Sequence, residues 1–182
     1  MPIISGDIKI KLSTKSGSAG NSLAQANVNA SIGKYISTTE LVTDTLNNLF
    51  DNVTGAENAA SSPEYRCVFV HNSHGSLSLE NAAIYISAQV SGGTDVAIAI
   101  DNVAASAIGS SSAQAFAATD SSTSPGGSAG SFSSPSSSGA ALSLGNIPAG
   151  FCKAVWIRRT AANTGALDSD GSTFIVFGDT AA

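Results

Sequence analysis

Charged residues are scarce in this chain of 182 residues. Asp, Glu, Lys and Arg make up 12% of it, against about 25% in an average soluble protein. Thirteen acidic residues outnumber eight basic ones, so the net charge is -5 at pH 7. A protein that grips nucleic acid or anionic lipid presents a basic patch. The composition therefore argues against both, and we expect no nucleic acid and no membrane among the partners.

Long apolar runs, a leader and a disulfide framework are also missing. No stretch approaches the roughly 18 apolar residues of a transmembrane helix, and the start, MPIISGDIKIKLS, lacks the basic and apolar regions of a signal peptide. We expect a soluble chain whose mature form begins here. Only two cysteines are present, Cys67 and Cys152, and we expect both to act as small buried hydrophobes.

What the chain does have is apolar alternation with period two, which is typical of β-strands. Seven or eight short strands separated by Gly and Ser turns favour an all-β fold, an antiparallel β-sandwich of Ig-like or jelly-roll-like type, over any α/β arrangement. The alternation marks strands at 7–12, 64–71, 77–90 (two pieces split at Asn81), 94–100, 141–144, 152–159 and 173–177. The predicted core consists of Val68, Val70, Ile84, Ile86, Ile98, Val155, Ile157, Ile175 and Phe177.

One helix is predicted between residues 37 and 50. Ser37 and Glu40 fit the S-x-x-E capping box. Apolar residues then recur at helical spacing, at Val42, Leu46 and Leu49–Phe50.

The remaining segments are rich in small polar residues and divide the chain into two regions. Residues 13–36 are interpreted as an extended arm without a packed local core, ordered only against a neighbouring subunit. Together with the first strand and the helix, this arm forms an N-terminal region, residues 1–63. The sandwich domain follows at residues 64–182, with a long Ser- and Gly-rich surface loop at 120–139.

Two metal-site patterns are present but incomplete. Cys67, His71 and His74 form C-x3-H-x2-H with ligands that zinc prefers, yet no fourth ligand is apparent and His74 falls in a turn. Asp168 and Asp170 form D-x-D-G with the following glycine, a fragment of a calcium loop, to which Asp179 adds a ligand only if the last strand folds back. A tight turn before the last strand explains the same residues.

Catalytic patterns are missing, and one basic cluster is present. No G-x-S-x-G elbow or S-x-x-K box occurs, and nothing selects a pair of carboxylates. We therefore expect no enzyme, and no catalytic, cofactor-binding or metal-binding residues. Lys153, Arg158 and Arg159 either grip a carboxylate of a neighbouring subunit or form a solvated strand end.

Three stretches resemble a family of tailed-bacteriophage virion proteins. They are LFDNVTGAENAASSPEYRCVFVHN at 49–72, LSLGNIPAGFCKAVWIRRT at 142–160 and DGSTFIVFGDT at 170–180. The resemblance implies a structural protein of the particle and carries no catalytic residue across. Independently, the sequence IPAG at 147–150 is similar to the turn-and-strand step of immunoglobulin-like sandwiches, although the Cys…Trp…Cys order of antibody domains is not met.

The function that this resemblance favours is capsid decoration. A decoration (cement) protein on the capsid surface is made in the host cytoplasm, binds the major capsid protein and copies of itself, for example as a trimer, and needs no cofactor. A tail, baseplate or fibre component is the alternative, with glycan contact at an aromatic residue such as Trp156. A carbohydrate-binding or hydrolytic module is a further alternative from another class.

Overall fold

The computed structural model describes residues 2–165, 167 and 170–180. Nine strands and one α-helix make up most of the regular structure. In chain order the elements are β1 (Ile8–Thr14), β2 (Tyr35–Glu40), α1 (Gly55–Ala60), β3 (Pro63–Asn72), β4 (Leu79–Gln89), β5 (Asp95–Ile100), β6 (Ser106–Ala107), β7 (Leu142–Ile147), β8 (Phe151–Thr160) and β9 (Ser172–Thr180). Short 3-10 turns lie at Ser5–Asp7, Val28–Ala30, Gly126–Ser128 and Ser138–Ala140.

The strands form two antiparallel sheets. The large sheet has the order β2-β1-β3-β8-β5, with the short β6 also paired to β8. The small sheet has the order β7-β4-β9. The turn at 147–150 carries the chain from β7 in the small sheet to β8 in the large one, and Gly150 takes a positive φ of 71° there. The predicted all-β sandwich is confirmed.

The main core lies between the two sheets. Val68 and Val70 from β3 and Val155 and Ile157 from β8 face Ile84 and Ile86 from β4. Together with Ile98 of β5, these residues are almost fully buried, as the alternation predicts. Burial on this scale is the main stabilising contribution, since each fully buried Val or Ile side chain contributes about 1.5 to 3 kcal/mol.

Two residues of the predicted core, Ile175 and Phe177, do not lie in it. They remain 37% and 38% exposed, because β9 turns Phe174 and Val176 towards the core instead. All four residues are apolar, so the alternation that selects a face elsewhere selects none here. The strand lies where the sequence predicts it, but its inward face is the other one.

The helix predicted at 37–50 is absent. Residues 35–40 form the edge strand β2, paired with β1, and residues 41–54 are irregular. The helix lies further on, at Gly55–Ala60, where Thr54 and Glu57 form the reciprocal capping box. For residues 37–40, pairing with β1 offsets the local helical preference, an override that tertiary contacts commonly impose.

The interpretation of 13–36 as an arm without a packed core is also wrong. Ile32 and Ile36 are buried in a second hydrophobic cluster on the outer face of the large sheet. Residues from the 113–132 stretch join it, and the central members are Cys67, Phe69, Cys152, Ala154 and Trp156. The central strands β3 and β8 are therefore covered on both faces.

Small residues let this segment approach the sheet closely. The Ser31 hydroxyl donates to the Cys67 carbonyl at 2.7 Å and accepts from the Ser13 amide at 2.8 Å. Gly33 has a φ of 95°, and a Cβ there would lie 1.8 Å from the Phe116 carbonyl oxygen. The low hydrophobicity that suggests an arm reflects this close backbone contact.

The Ser- and Gly-rich stretch 120–139 is mostly exposed, as predicted, but the large sheet anchors it. Pro125, Ala129 and Pro135 are buried. Ser133 exchanges backbone hydrogen bonds with Ile98 of β5 at 2.8 and 3.0 Å. The stretch thus covers the outer edge of β5. No helix among the described residues is long and apolar enough to cross a membrane.

Candidate functional site

Cys67, His71 and His74 do not converge on one point. Cys67 and His71 share a face of β3, but four residues of extended strand separate them by about 13 Å, far beyond the reach of a common zinc ion. The His74 ring nitrogen Nδ1 accepts from the Ser76 and Leu77 amides at 3.1 and 2.9 Å, which closes the turn. Among the described residues, no three potential ligands cluster.

Asp168 of the calcium-like D-x-D-G sequence lies outside the described residues. Asp170 accepts a hydrogen bond from the Thr94 amide at 2.8 Å and so ties the start of β9 to the turn after β4. Asp179 lies at the other end of the extended β9, nine positions away, which is about 30 Å. It accepts instead from the Asn81 side chain at 3.1 Å. Asp170 and Asp179 therefore cannot share an ion.

The basic cluster Lys153, Arg158 and Arg159 is divided between separate internal contacts. Lys153 donates to the Asp101 and Val103 carbonyls at 2.7 and 2.5 Å, and burial lowers its pKa. Arg158 lies 3.9 Å from Asp95 in an exposed pair. These cations do not form one basic surface.

Arg159 belongs to a cluster that no sequence pattern indicates. Arg66, which is fully buried, and Arg159 both stack on Phe50, at 4.9 and 4.8 Å from the ring centre. Glu64 accepts hydrogen bonds from both guanidinium groups. The Arg66 Nε also donates to the Leu49 carbonyl at 3.2 Å. The cluster holds the irregular 41–53 segment against the large sheet and is structural.

A second unforeseen feature is the buried carboxylate of Asp101, which is 1% exposed at the end of β5. It accepts three hydrogen bonds, from the Val103 amide at 2.8 Å, the Phe116 amide at 3.0 Å and the Trp156 indole nitrogen at 2.8 Å. One carboxylate thereby fixes the long 101–118 connection to the central strand β8. No sequence pattern marks this residue, because a single Asp after a strand is common in turns.

Trp156 and the thiols lie in the same layer. Trp156 is 0% exposed, so it cannot stack on a glycan and the contact suggested for the tail alternative is wrong. Burial raises the pKa of the Cys152 thiol to about 12 and that of Cys67 well above its usual value. Both cysteines are buried and free, as predicted, and remain protonated at neutral pH.

The outer face of the small sheet leaves apolar side chains uncovered. Ile175 and Phe177 of β9 are exposed on this open face, and the half-buried Tyr85 and Ala83 of β4 lie directly opposite them. The Tyr85 and Phe177 rings meet edge to face with centres 6.0 Å apart. Contiguous apolar surface of this kind is typical of interaction sites. The sequence signal is the apolar run 174–177, which the alternation assigns to the core.

A second exposed apolar feature lies in the irregular segment after β2. Val42 and Leu46, which the predicted helix would have buried, are 64% and 75% exposed. They lie on a loop that follows the edge strand of the large sheet, whereas the open face belongs to the small sheet. We therefore regard the open face, which is built on regular strands, as the better candidate surface.

Comparisons of this chain with protein-family models, with curated proteins and with solved structures find no match. Its function is therefore inferred from the residues themselves.

Proposed function

We propose that this chain is a non-enzymatic structural protein of a tailed-phage virion, and that it decorates the capsid as a cement protein. The support from sequence is the resemblance of residues 49–72, 142–160 and 170–180 to virion proteins of such phages. These three stretches contribute β3, β7, β8 and β9, which are strands of both sheets.

The observation that carries the proposal is the contrast between the interior and the open face. Of the side chains that the sequence analysis singled out for chemistry, Lys153 and Arg159 are held in internal hydrogen bonds and Cys67 and Cys152 are buried. The open face instead exposes Ile175 and Phe177 beside the half-buried Tyr85. Such a surface suits binding to another protein better than chemistry on a small substrate.

Capsid attachment would use this face many times over. A cement protein links neighbouring capsid subunits, and hundreds of modest contacts act together through multivalency. The partners in this proposal are the major capsid protein and other copies of this chain. Neither requires a cofactor.

Copy number in purified particles of the encoding phage tests the proposal. Quantitative mass spectrometry should find this chain at a level close to that of the major capsid protein. A few to a few dozen copies would favour the tail, baseplate or fibre alternative. Absence from the particle would remove the virion role, and a glycan-dependent shift in melting temperature would then test the alternative of a carbohydrate-binding module.

A pair of variants tests whether the open face is the attachment surface. Tyr85→Lys places a charge in its centre and should abolish rebinding to particles stripped of the protein. Ser112→Lys adds the same charge at an exposed position outside this face and should rebind normally. Equal rebinding of both variants would contradict attachment through the open face.

A further inference from the structure

The strand β9 forms one edge of the small sheet, and among the described residues this edge has none of the features that usually protect a strand edge. Nine residues, Ser172–Thr180, run beside β4 on one side only, and no described strand lies on the other side. The strand contains no Pro and no Lys or Arg, and its only charge is Asp179 near one end. Soluble proteins usually block a long flat edge with a charge, a proline, a bulge or a covering loop.

The other sheet edges carry such features. The β5 edge is covered by Ser133, which bonds to Ile98. Both β2 and β7 have six residues and irregular pairing with their neighbours. In the pairing of β4 with β9, the register shifts follow from extra residues on β4, near Asn81 and Ser87, so β9 itself stays regular.

The unused hydrogen-bonding groups of β9 can be identified. The Ile86 amide donates to the Pro135 carbonyl at 2.8 Å, on the side of β4 away from β9. Ile86 lies opposite Phe174, so the two residues form a non-hydrogen-bonded pair, in which the N–H and C=O groups of each residue point away from the other strand. The backbone groups of Phe174, and by alternation those of Val176 and Gly178, therefore point out of the sheet edge.

The core is also unfinished at this edge. The residues that β4 turns inward are almost fully buried, whereas Phe174 and Val176, which β9 turns inward, are only half-buried. A further strand beside β9 would cover them. Among the described residues, the outer edge of β9 thus has backbone groups without hydrogen-bond partners and apolar side chains that are only partly covered.

The sequence of β9 is complementary to itself when two copies run antiparallel about Val176. Ile175 then lies opposite Phe177 of the second copy, twice, and pairs of an aromatic with a β-branched residue are favourable across strands. Phe174 lies opposite Gly178, an arrangement in which an aromatic covers an edge glycine. Asp179 lies opposite Thr173, so the two acidic groups are at opposite ends.

We propose that two copies of this chain associate through antiparallel β9–β9 pairing, centred on Val176, which joins their small sheets into one six-stranded sheet. The outward-pointing backbone groups of residues 172, 174, 176, 178 and 180 then form about ten hydrogen bonds across the two-fold axis, two for each pair. The contact makes a dimer, unlike the trimer given as an example from the resemblance. It does not depend on the virion role.

Charge placed on the outer face at this edge tests both the contact and its register. Sedimentation equilibrium of the purified chain should give a species of twice the 18.0 kDa chain mass. The double substitution Ile175→Lys with Phe177→Lys puts lysine opposite lysine twice, and should weaken the dimer by at least about tenfold. The double substitution Ile175→Lys with Phe177→Glu instead puts lysine opposite glutamate twice and should restore dimerisation.

Controls separate the proposed contact from a general effect of charge. Ser112→Lys with Ser136→Lys adds the same two charges at exposed positions away from β9 and should leave the dimer intact. Circular dichroism should show that every variant keeps its strand content. The proposal would be overturned if the wild type were monomeric or if the Lys/Lys variant still dimerised as tightly as the wild type. It would also be overturned if the Lys/Glu variant dimerised no more tightly than the Lys/Lys variant.

Discussion

Removal of the Asp101 carboxylate should be among the most destabilising single changes in this protein. Asp101→Ala leaves three donors without their acceptor, namely the Trp156 indole nitrogen and the amides of Val103 and Phe116. An unsatisfied buried donor costs about 1 to 3 kcal/mol. The cost for the Trp156 indole N–H should lie at the upper end of this range, because Trp156 is fully buried. The cost for each of the two amides should lie at the lower end, because they belong to half-buried residues.

The expected loss is therefore about 3 to 5 kcal/mol of unfolding free energy, from a total that is typically about 5 to 15 kcal/mol. Asp101→Asn is the matched variant because it keeps the shape and one acceptor oxygen. Its amide nitrogen must face at least one N–H donor, so it should lose less, about 1 to 3 kcal/mol.

Urea unfolding followed by tryptophan fluorescence measures both variants, since Trp156 is the only tryptophan in the chain and reports directly on this layer. Trp156→Phe, followed by circular dichroism, completes a double-mutant cycle with Asp101→Asn and should show a coupling of about 1 to 2 kcal/mol. An Asp101→Ala loss below about 1 kcal/mol, or Asn and Ala losses that are equal, would refute this reasoning.

Three further outcomes are expected. Val155→Asp should prevent folding, because it buries an unpaired charge at a cost of several kcal/mol, whereas Ile175→Asp on the open face should still fold. Circular dichroism of the two variants tests which face of each strand is buried, and an unfolded Ile175→Asp variant would contradict the assignment. Cys67 and Cys152 should not react with a thiol reagent at pH 8 until urea unfolds the chain. Burial raises the pKa of the Cys152 thiol from 9.0 to about 12, so its contribution to the unfolding free energy is fully present below pH 9 and is lost as the pH rises towards 12. The unfolding free energy should therefore fall by up to about 1.4 kcal/mol per pH unit in this range. Cys152→Ala should make this fall less steep, and an unchanged pH dependence would contradict the prediction. Gly33→Ala should cost several kcal/mol in urea unfolding, since the positive φ and the nearby carbonyl both oppose a Cβ, while Gly139→Ala, where nothing lies within 4 Å, should be close to neutral.

The regions of the fold that the sequence predicts well are those where one strong pattern has one structural meaning. The strands β3 and β8 are rich in β-branched and aromatic residues, and both lie at the centre of the large sheet. The helix prediction at 37–50 is wrong because its first residues, 37–40, pair with β1 as part of β2, and Leu49 and Phe50 near its end pack against the main core from an irregular segment. Sequence spacing contains no information about either of these partners.

The internal polar contacts could not be predicted for a different reason. Asp101, Arg66 and Gln114 are ordinary polar residues in the sequence, and each becomes buried through partners far along the chain. Gln114, for example, accepts from the Ile36 amide at 3.1 Å and donates to the Ala107 carbonyl at 2.9 Å. Such contacts depend on which loops cover the large sheet, on its outer face for Asp101 and Gln114 and on its core side for Arg66, and the composition of those loops suggests only exposed chain.

The error at β9 has a physical meaning of its own. An edge strand of a finished two-layer sandwich needs apolar residues on one face only, and polar residues suffice on the other. Residues 174–177 are apolar on both faces, which is the pattern of a strand inside a sheet that is covered on both sides. Within the described residues, the chain supplies neither a second neighbouring strand nor a layer over Ile175 and Phe177. The proposed pairing with a second β9 would supply the strand, and the proposed binding of another protein to the open face would supply the layer, so the two proposed contacts together would account for apolar residues on both faces of β9.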